Sequence, residues 1–176
     1  MRKIYIIGTV HNMMPKYEEE LRSILEGINP DQILVEIVEE DLKSRKLGKY
    51  PKEMVFAYKW GIRHERKVDG FDSAVEIVKK SITRKKLKEV EKEAFRIIDR
   101  YGWKEMNKSK YDYIEKLEEL SDKIIDYKKH KLRQQEMLEN IDKMMRKDGK
   151  ILIITGAAHL SFFEKNLKGA IFLFRT

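Results

Sequence analysis

Apolar residues recur along this chain in two periods, and the order of the switches predicts its architecture. Residues 3–8 read as a strand, and "YEEELRSILEGI" at 17–28 as an amphipathic helix with Leu21, Ile24, Leu25 and Ile28 on one face. Asn29-Pro30-Asp31 stops that helix, and "QILVEIV" at 32–38 is a second apolar strand. Residues 39–61 keep helical spacing with a break near Gly48 to Pro51, and "RKVDGFD" at 66–72 is a short third strand closed by a glycine turn. Strand, helix, strand, helix, strand is the pattern of parallel α/β architecture.

From Ser73 to about Lys147 no strand pattern appears. Val75, Val78, Ile82, Leu87, Val90, Ala94, Ile97 and Tyr101 keep helical spacing up to a break at Gly102. A second helical stretch carries Ile114, Leu117, Leu120, Ile124, Leu138, Ile141 and Met145. The fourth strand is 151–155, a short helix covers 160–167, and "AIFLFR" at 170–175 is a final strand. The predicted fold is therefore α/β: a mixed, mainly parallel sheet of about five strands. A long helical hairpin, about residues 73–147, is inserted between strands three and four. With no repeat and no low-complexity linker, residues 1–176 read as one domain.

Two strands end alike. Gly8-Thr9-Val10-His11 and Gly156-Ala157-Ala158-His159 each place a histidine three residues past a glycine, in a chain with 4 histidines. A third copy, Gly61-Ile62-Arg63-His64, precedes a strand instead of following one, and so falls at the opposite end of a parallel sheet. Ligands of open α/β sheets bind outside the carboxyl ends of the strands. Glycine lets the backbone turn tightly there and leaves room for a ligand, with the histidine exposed to the crevice. His64, and His130 in the charged run "YKKHKLRQQE", are expected to be neither metal ligands nor catalytic groups.

A carboxylate joins the two histidines. Glu36 lies inside the apolar run "ILVEIV", where burial is costly without a partner. Asp69 and Asp72 flank the end of the third strand, so four strands deliver His11, Glu36, Asp69 or Asp72, and His159 to one edge. Two imidazoles and a carboxylate suit zinc, manganese or a related ion, and they equally suit metal-free acid–base chemistry. Length places one more residue. A helix from Arg133 to Lys147 descends about 21 Å, and the following five-residue strand climbs back about 17 Å. Arg133 then returns to the rim of His159, either as an anion-binding group or as a surface arginine of a charged helix.

Composition narrows the function classes. There is no cysteine, which excludes disulfides, thiolate metal sites and cysteine nucleophiles. The first residues enter a strand without a basic leader, and no apolar run approaches membrane-spanning length, so a cytoplasmic protein without a membrane span is expected. The charged fraction is 39% and the net charge +8, with few glycines and prolines, a composition like that of heat-adapted proteins. Between Lys79 and Lys110 there are 12 Lys/Arg against 5 Asp/Glu, an excess of 7. That stretch reads as a solvated helix face before it reads as a nucleic-acid surface.

Four segments together resemble the TraB family and the related TIKI proteases, within the superfamily that includes ChaN and erythromycin esterase. They are "IIGTVH", "NPDQILVEI", "RQQEMLENI" and "ILIITGAAHL", at both ends of the chain. The resemblance implies a mixed α/β sheet with a helical insertion, and a site built from His11, Glu36, Arg133 and His159. TIKI proteins are metal-dependent peptidases, TraB proteins act against peptide pheromones, and erythromycin esterases hydrolyse without a metal. This chain departs from the pattern at Asp41, where relatives carry arginine and Arg45 stands one helical turn on. It departs again at Asp72-Ser73 and at Asn12-Met13.

The leading expectation is a metal-dependent hydrolase of amide or ester bonds, acting on a peptide or small molecule. His11, Glu36 and His159 would hold manganese, cobalt or zinc, and Glu36 would be a ligand or the base for water. Arg133 would hold a substrate carboxylate or an oxyanion. Gly8, Thr9, Asp69, Asp72 and Gly156 complete the candidate set. The rival expectation is a non-catalytic protein holding a peptide or small anion in the same crevice; an RNA or acidic-partner module ranks third.

Overall fold

The computed structural model describes residues 1–10, 13–74, 84–108 and 126–175. Five strands form one sheet: β1 (Arg2–Thr9), β2 (Gln32–Val38), β3 (Lys67–Asp72), β4 (Gly149–Gly156) and β5 (Ile171–Phe172), in the order β3-β2-β4-β1-β5. Every neighbouring pair is parallel. Six helices are described: α1 (Glu18–Ile28), α2 (Glu39–Lys43), α3 (Lys52–Arg63), α4 (Arg84–Tyr101), α5 (Tyr127–Met144) and α6 (Leu160–Asn166), with 3-10 turns at Trp103–Asn107 and Ala157–His159. None of the described helices is long and apolar enough to cross a membrane. The α/β class and the five strands agree with the sequence pattern. The last strand is much shorter than expected, because Phe174 takes a left-handed φ of 66° and turns the chain off the sheet edge. Helices α4 and α5 do lie between β3 and β4, but residues 109–125, which would close the expected hairpin, fall outside the described residues.

The local chemistry of each element is visible in its ends. Helix α1 opens on Glu18, Glu19 and Glu20, which favour the positive end of its dipole, and stops at Asn29 in a left-handed cap (φ 48°) bonded to the Leu25 carbonyl. Helix α5 opens on Asp126, whose carboxylate accepts from the Lys128 and Lys129 amides. The central strands are apolar on both faces, as a sheet covered on both sides requires: Ile33, Leu34, Val35, Ile37 and Ile151 to Ile154 are all fully buried.

Alternation along β2 decides where its carboxylate goes. A Cβ on Gly61 of α3 would lie 3.1 Å from Ile33 Cδ1, so Ile33 and its even-spaced companions face α3. Gln32 faces the other way. Its amide donates to the Met144 carbonyl (2.8 Å) and accepts from the Arg146 amide (2.9 Å) at the end of α5. Glu36 shares the parity of Gln32 and therefore faces α5.

The strand order creates the crevice. From β2 the chain moves outward to β3, whereas from β4 it moves back across β1 to β5, so the connections part between β2 and β4. With right-handed crossovers they also leave on opposite faces, which makes this pair the switch point of the sheet. Backbone pairing of β2 with β4 runs only to Val35↔Ile154, and that of β2 with β3 shifts register between Val35 and Val38. Side chains take over beyond those points. The Gly70 amide donates to Glu39 Oε2 at 2.6 Å; on the other side of the sheet, past the end of the β1–β5 pairing, the Gly8 amide donates to Asn107 Oδ1 at 2.7 Å while Asn107 Nδ2 returns a bond to the Gly8 carbonyl.

Candidate active site

Glu36 lies at the mouth of the gap between β2 and β4. Its Oε2 accepts from the Thr155 hydroxyl and the Gly156 amide, both at 2.7 Å, continuing the ladder that the backbones have given up. Its Oε1 faces Arg133 Nη2 at 3.1 Å and His159 Nε2 at 3.4 Å. Burial alone would raise this carboxyl. His159 (by its charge when protonated, and by its hydrogen bond), the Arg133 guanidinium and the Gly156 amide outweigh burial and hold the group far below the usual carboxylate range.

Arg133 spans two carboxylates. Its Nε and Nη2 donate to Asp72 at 2.9 and 3.0 Å in a fork, while Nη2 also meets Glu36. Burial disfavours the guanidinium charge, and Asp72 and Glu36 more than offset that. Its Nη1 bonds neither carboxylate and approaches His159 Nε2 at 3.5 Å. Asp72 is further fixed by the Ser73 amide, and the Ser73 hydroxyl donates to Glu136 of α5.

His159 is not exposed to the crevice, contrary to the sequence expectation. It is 6% exposed, because the 3-10 turn after β4 folds the ring inward against Phe163 and α5. Gln134 Nε2 lies 3.3 Å from Nδ1, so in the neutral ring Nδ1 accepts and Nε2 presents its proton toward Glu36. His130 stacks on His159 with ring centroids 5.8 Å apart. The spacing of His130, Arg133, Gln134 and Met137 along α5 is i, i+3, i+4, i+7, which sets them on one face. That face was readable in the sequence once Arg133 was placed; the charged neighbours concealed it.

The other candidates divide. Asp69 pairs with the register level of Leu34, about 10 Å below Asp72 at the rise of a strand. There it accepts from Gln32 (2.5 Å) and pairs with Lys67 (3.0 Å), away from Glu36. Thr9 is buried, and its hydroxyl donates to the Thr155 carbonyl at 3.3 Å, clasping β1 to β4. Thr9 and Gly156 are register partners, so the two glycine-histidine segments leave adjacent strand ends; His11 itself lies outside the described residues. His64 bonds the Trp60 carbonyl at 2.8 Å and stacks on that ring, before β3 begins.

Neither glycine makes room for a ligand in the way expected. Both have ordinary negative φ. A Cβ at Gly8 would meet Leu160 Cδ1 at 2.6 Å and Ala157 Cα at 2.8 Å, so β1 needs glycine to pack under the turn after β4. A Cβ at Gly156 would find its nearest atom, Glu36 Oε2, at 3.5 Å.

Above Glu36, Asp72 and Arg133 lies a cavity of about 540 Å³, walled by residues 48–52 and Met54. Asp41 serves that wall: it pairs with Lys49 at 2.6 Å and accepts from the Tyr50 hydroxyl at 2.7 Å. Arg45, the substitute suggested by spacing, does not line the cavity. No family model, curated protein or solved structure matches this chain.

The described donors do not fit a divalent metal as they stand. Among the described residues no three His, Asp or Glu side chains are grouped to hold an ion. Oε1 of Glu36 already carries a guanidinium, and a second cation beside it would be opposed by like charge. The arrangement can orient an imidazole and hold a carboxylate ionised, with Arg133 among the residues that line the cavity.

Proposed function

We propose that this chain hydrolyses amide or ester bonds in the crevice between β2 and β4, by acid–base and electrostatic means. The observation that supports this most is the buried set Glu36, Arg133, Asp72 and His159 at the switch point, opening on a cavity of ligand size. In this reading Arg133 Nη1 polarises the scissile carbonyl and stabilises the oxyanion formed when water adds to its carbon. Glu36 orients His159 and stays ionised, too weak a base at neutral pH to take the proton of water. His11 is assigned that proton and returns it to the leaving amine or alcohol. Metal-dependent hydrolysis, the leading expectation from the sequence with His11 as a further ligand, is the variant that the Arg133–Glu36 pair favours less.

One observation favours the rival reading, a non-catalytic binding protein. Both oxygens of Glu36 and both nitrogens of His159 already have partners within the site. Turnover of peptide and nitrophenyl-ester panels separates the two, measured with EDTA and with added Mn²⁺, Co²⁺ or Zn²⁺. Hydrolysis that persists in EDTA and falls about 100-fold or more in His11→Ala supports the proposal. Hydrolysis only with added metal supports the metal-dependent form, and no turnover under any condition leaves the binding protein.

A further inference from the structure

The cavity has a charge asymmetry that points to its ligand. Its floor carboxylates, Glu36 and Asp72, are both taken up by Arg133. In its wall, Lys49 is held by Asp41. Lys52, the first residue of α3, lines the same wall and has no carboxylate within ion-pair distance among the described residues. Arg133 Nη1 is likewise unbonded to either carboxylate. Arg133 is thus shared by both floor carboxylates, with its Nη1 turned to His159, and Lys52 of the wall is the lining cation that remains for a ligand.

We infer that the cavity binds a ligand carrying a carboxylate, seated against Lys52 and fixed laterally by the Lys49–Asp41–Tyr50 cluster. Taken with the hydrolase reading, on which this step rests, the carboxylate anchors the substrate while its scissile carbonyl faces Arg133. The substrate class is then acidic: an acyl-amino acid or a peptide with a glutamyl, aspartyl or free terminal carboxylate near the bond cut. A cavity of about 540 Å³ holds a ligand of that size.

Calorimetric titration of the intact chain with N-acetyl-glutamate, N-acetyl-glutamine and inorganic phosphate tests this without any turnover. The acid should bind about fivefold or more tightly than its neutral isostere, the upper end of what one partly exposed ion pair supplies. Lys52→Met should erase the difference, whereas Lys59→Met, an exposed lysine of α3 outside the cavity, should leave it. Equal binding of acid and amide overturns the inference, as do tighter binding of phosphate, an equal loss in Lys59→Met, and no saturation by about 10 mM acid. Acid-selective binding without hydrolysis removes the hydrolase reading alone; hydrolysis with no acid preference removes this one alone.

Discussion

Glu36 and Arg133 stand 97 positions apart in the chain and meet at 3.1 Å, with Asp72 closing the guanidinium from the other side at 2.8 Å. All three side chains are about one-tenth exposed. Removing the shared cation should therefore harm more than removing the whole set. Arg133→Met leaves two buried carboxylates without compensation, and a loss of about 3–5 kcal/mol in urea unfolding is expected. The triple variant Glu36→Gln, Asp72→Asn, Arg133→Met should recover part of it. If the triple variant is the less stable of the two, the ion set is not what holds this edge.

Acid should remove the stability that ionised Glu36 supplies, although the folded carboxyl itself protonates late. A carboxyl whose folded pKa is depressed contributes stability that is complete above its unfolded value, near 4.5, and is lost as pH falls toward the folded value. The melting temperature of the wild type should exceed that of Glu36→Gln at about pH 6, and the gap should narrow as pH is lowered to about 3. A gap that is constant across this range would mean that Glu36 acts by shape alone.

The two glycines that open the histidine segments should respond oppositely to alanine. Gly8→Ala drives a methyl into Leu160 and the Ala157 backbone and should cost about 1–3 kcal/mol. Gly156→Ala meets only ordinary contacts and should stay within about 0.5 kcal/mol of wild type. Equal losses would show that the turn after β4 packs otherwise.

His130 should be felt at His159. Loss of its ring in His130→Ala should move the ring nitrogen and proton resonances of His159, while His130→Phe, which keeps a flat face, moves them less. His64→Ala should leave them unchanged, since that ring stacks on Trp60 instead.

What the sequence made legible is what periodicity and chain length control. A carboxylate inside "ILVEIV" announces itself, and descending α5 then climbing β4 returns Arg133 to the Glu36 rim by arithmetic alone. Strand neighbours are another matter. Nothing local says that β4 slots between β1 and β2, yet that placement brings Thr155 and Gly156 to Glu36. Asp69 and Asp72 look like equivalent candidates in "KVDGFD", and only the register against β2 shows which of them reaches the level of Glu36. The inward turn of His159 depends on the 3-10 segment and on Gln134, two packing details with no signature in spacing.

Three glycine amides, at positions 8, 70 and 156, are bonded to the side chains of Asn107, Glu39 and Glu36 instead of to a neighbouring strand. Their hydrogen exchange with solvent is consequently gated by side-chain rotation, not by separation of the strands. In a deuterium-labelling experiment they should exchange well ahead of the Ile6, Leu34 and Ile153 amides. Protonation of Glu36 should release the Gly156 amide, and the Asn107 carboxamide, which does not titrate, should keep that of Gly8. The carboxyl edge of this sheet can thus breathe while its centre stays shut.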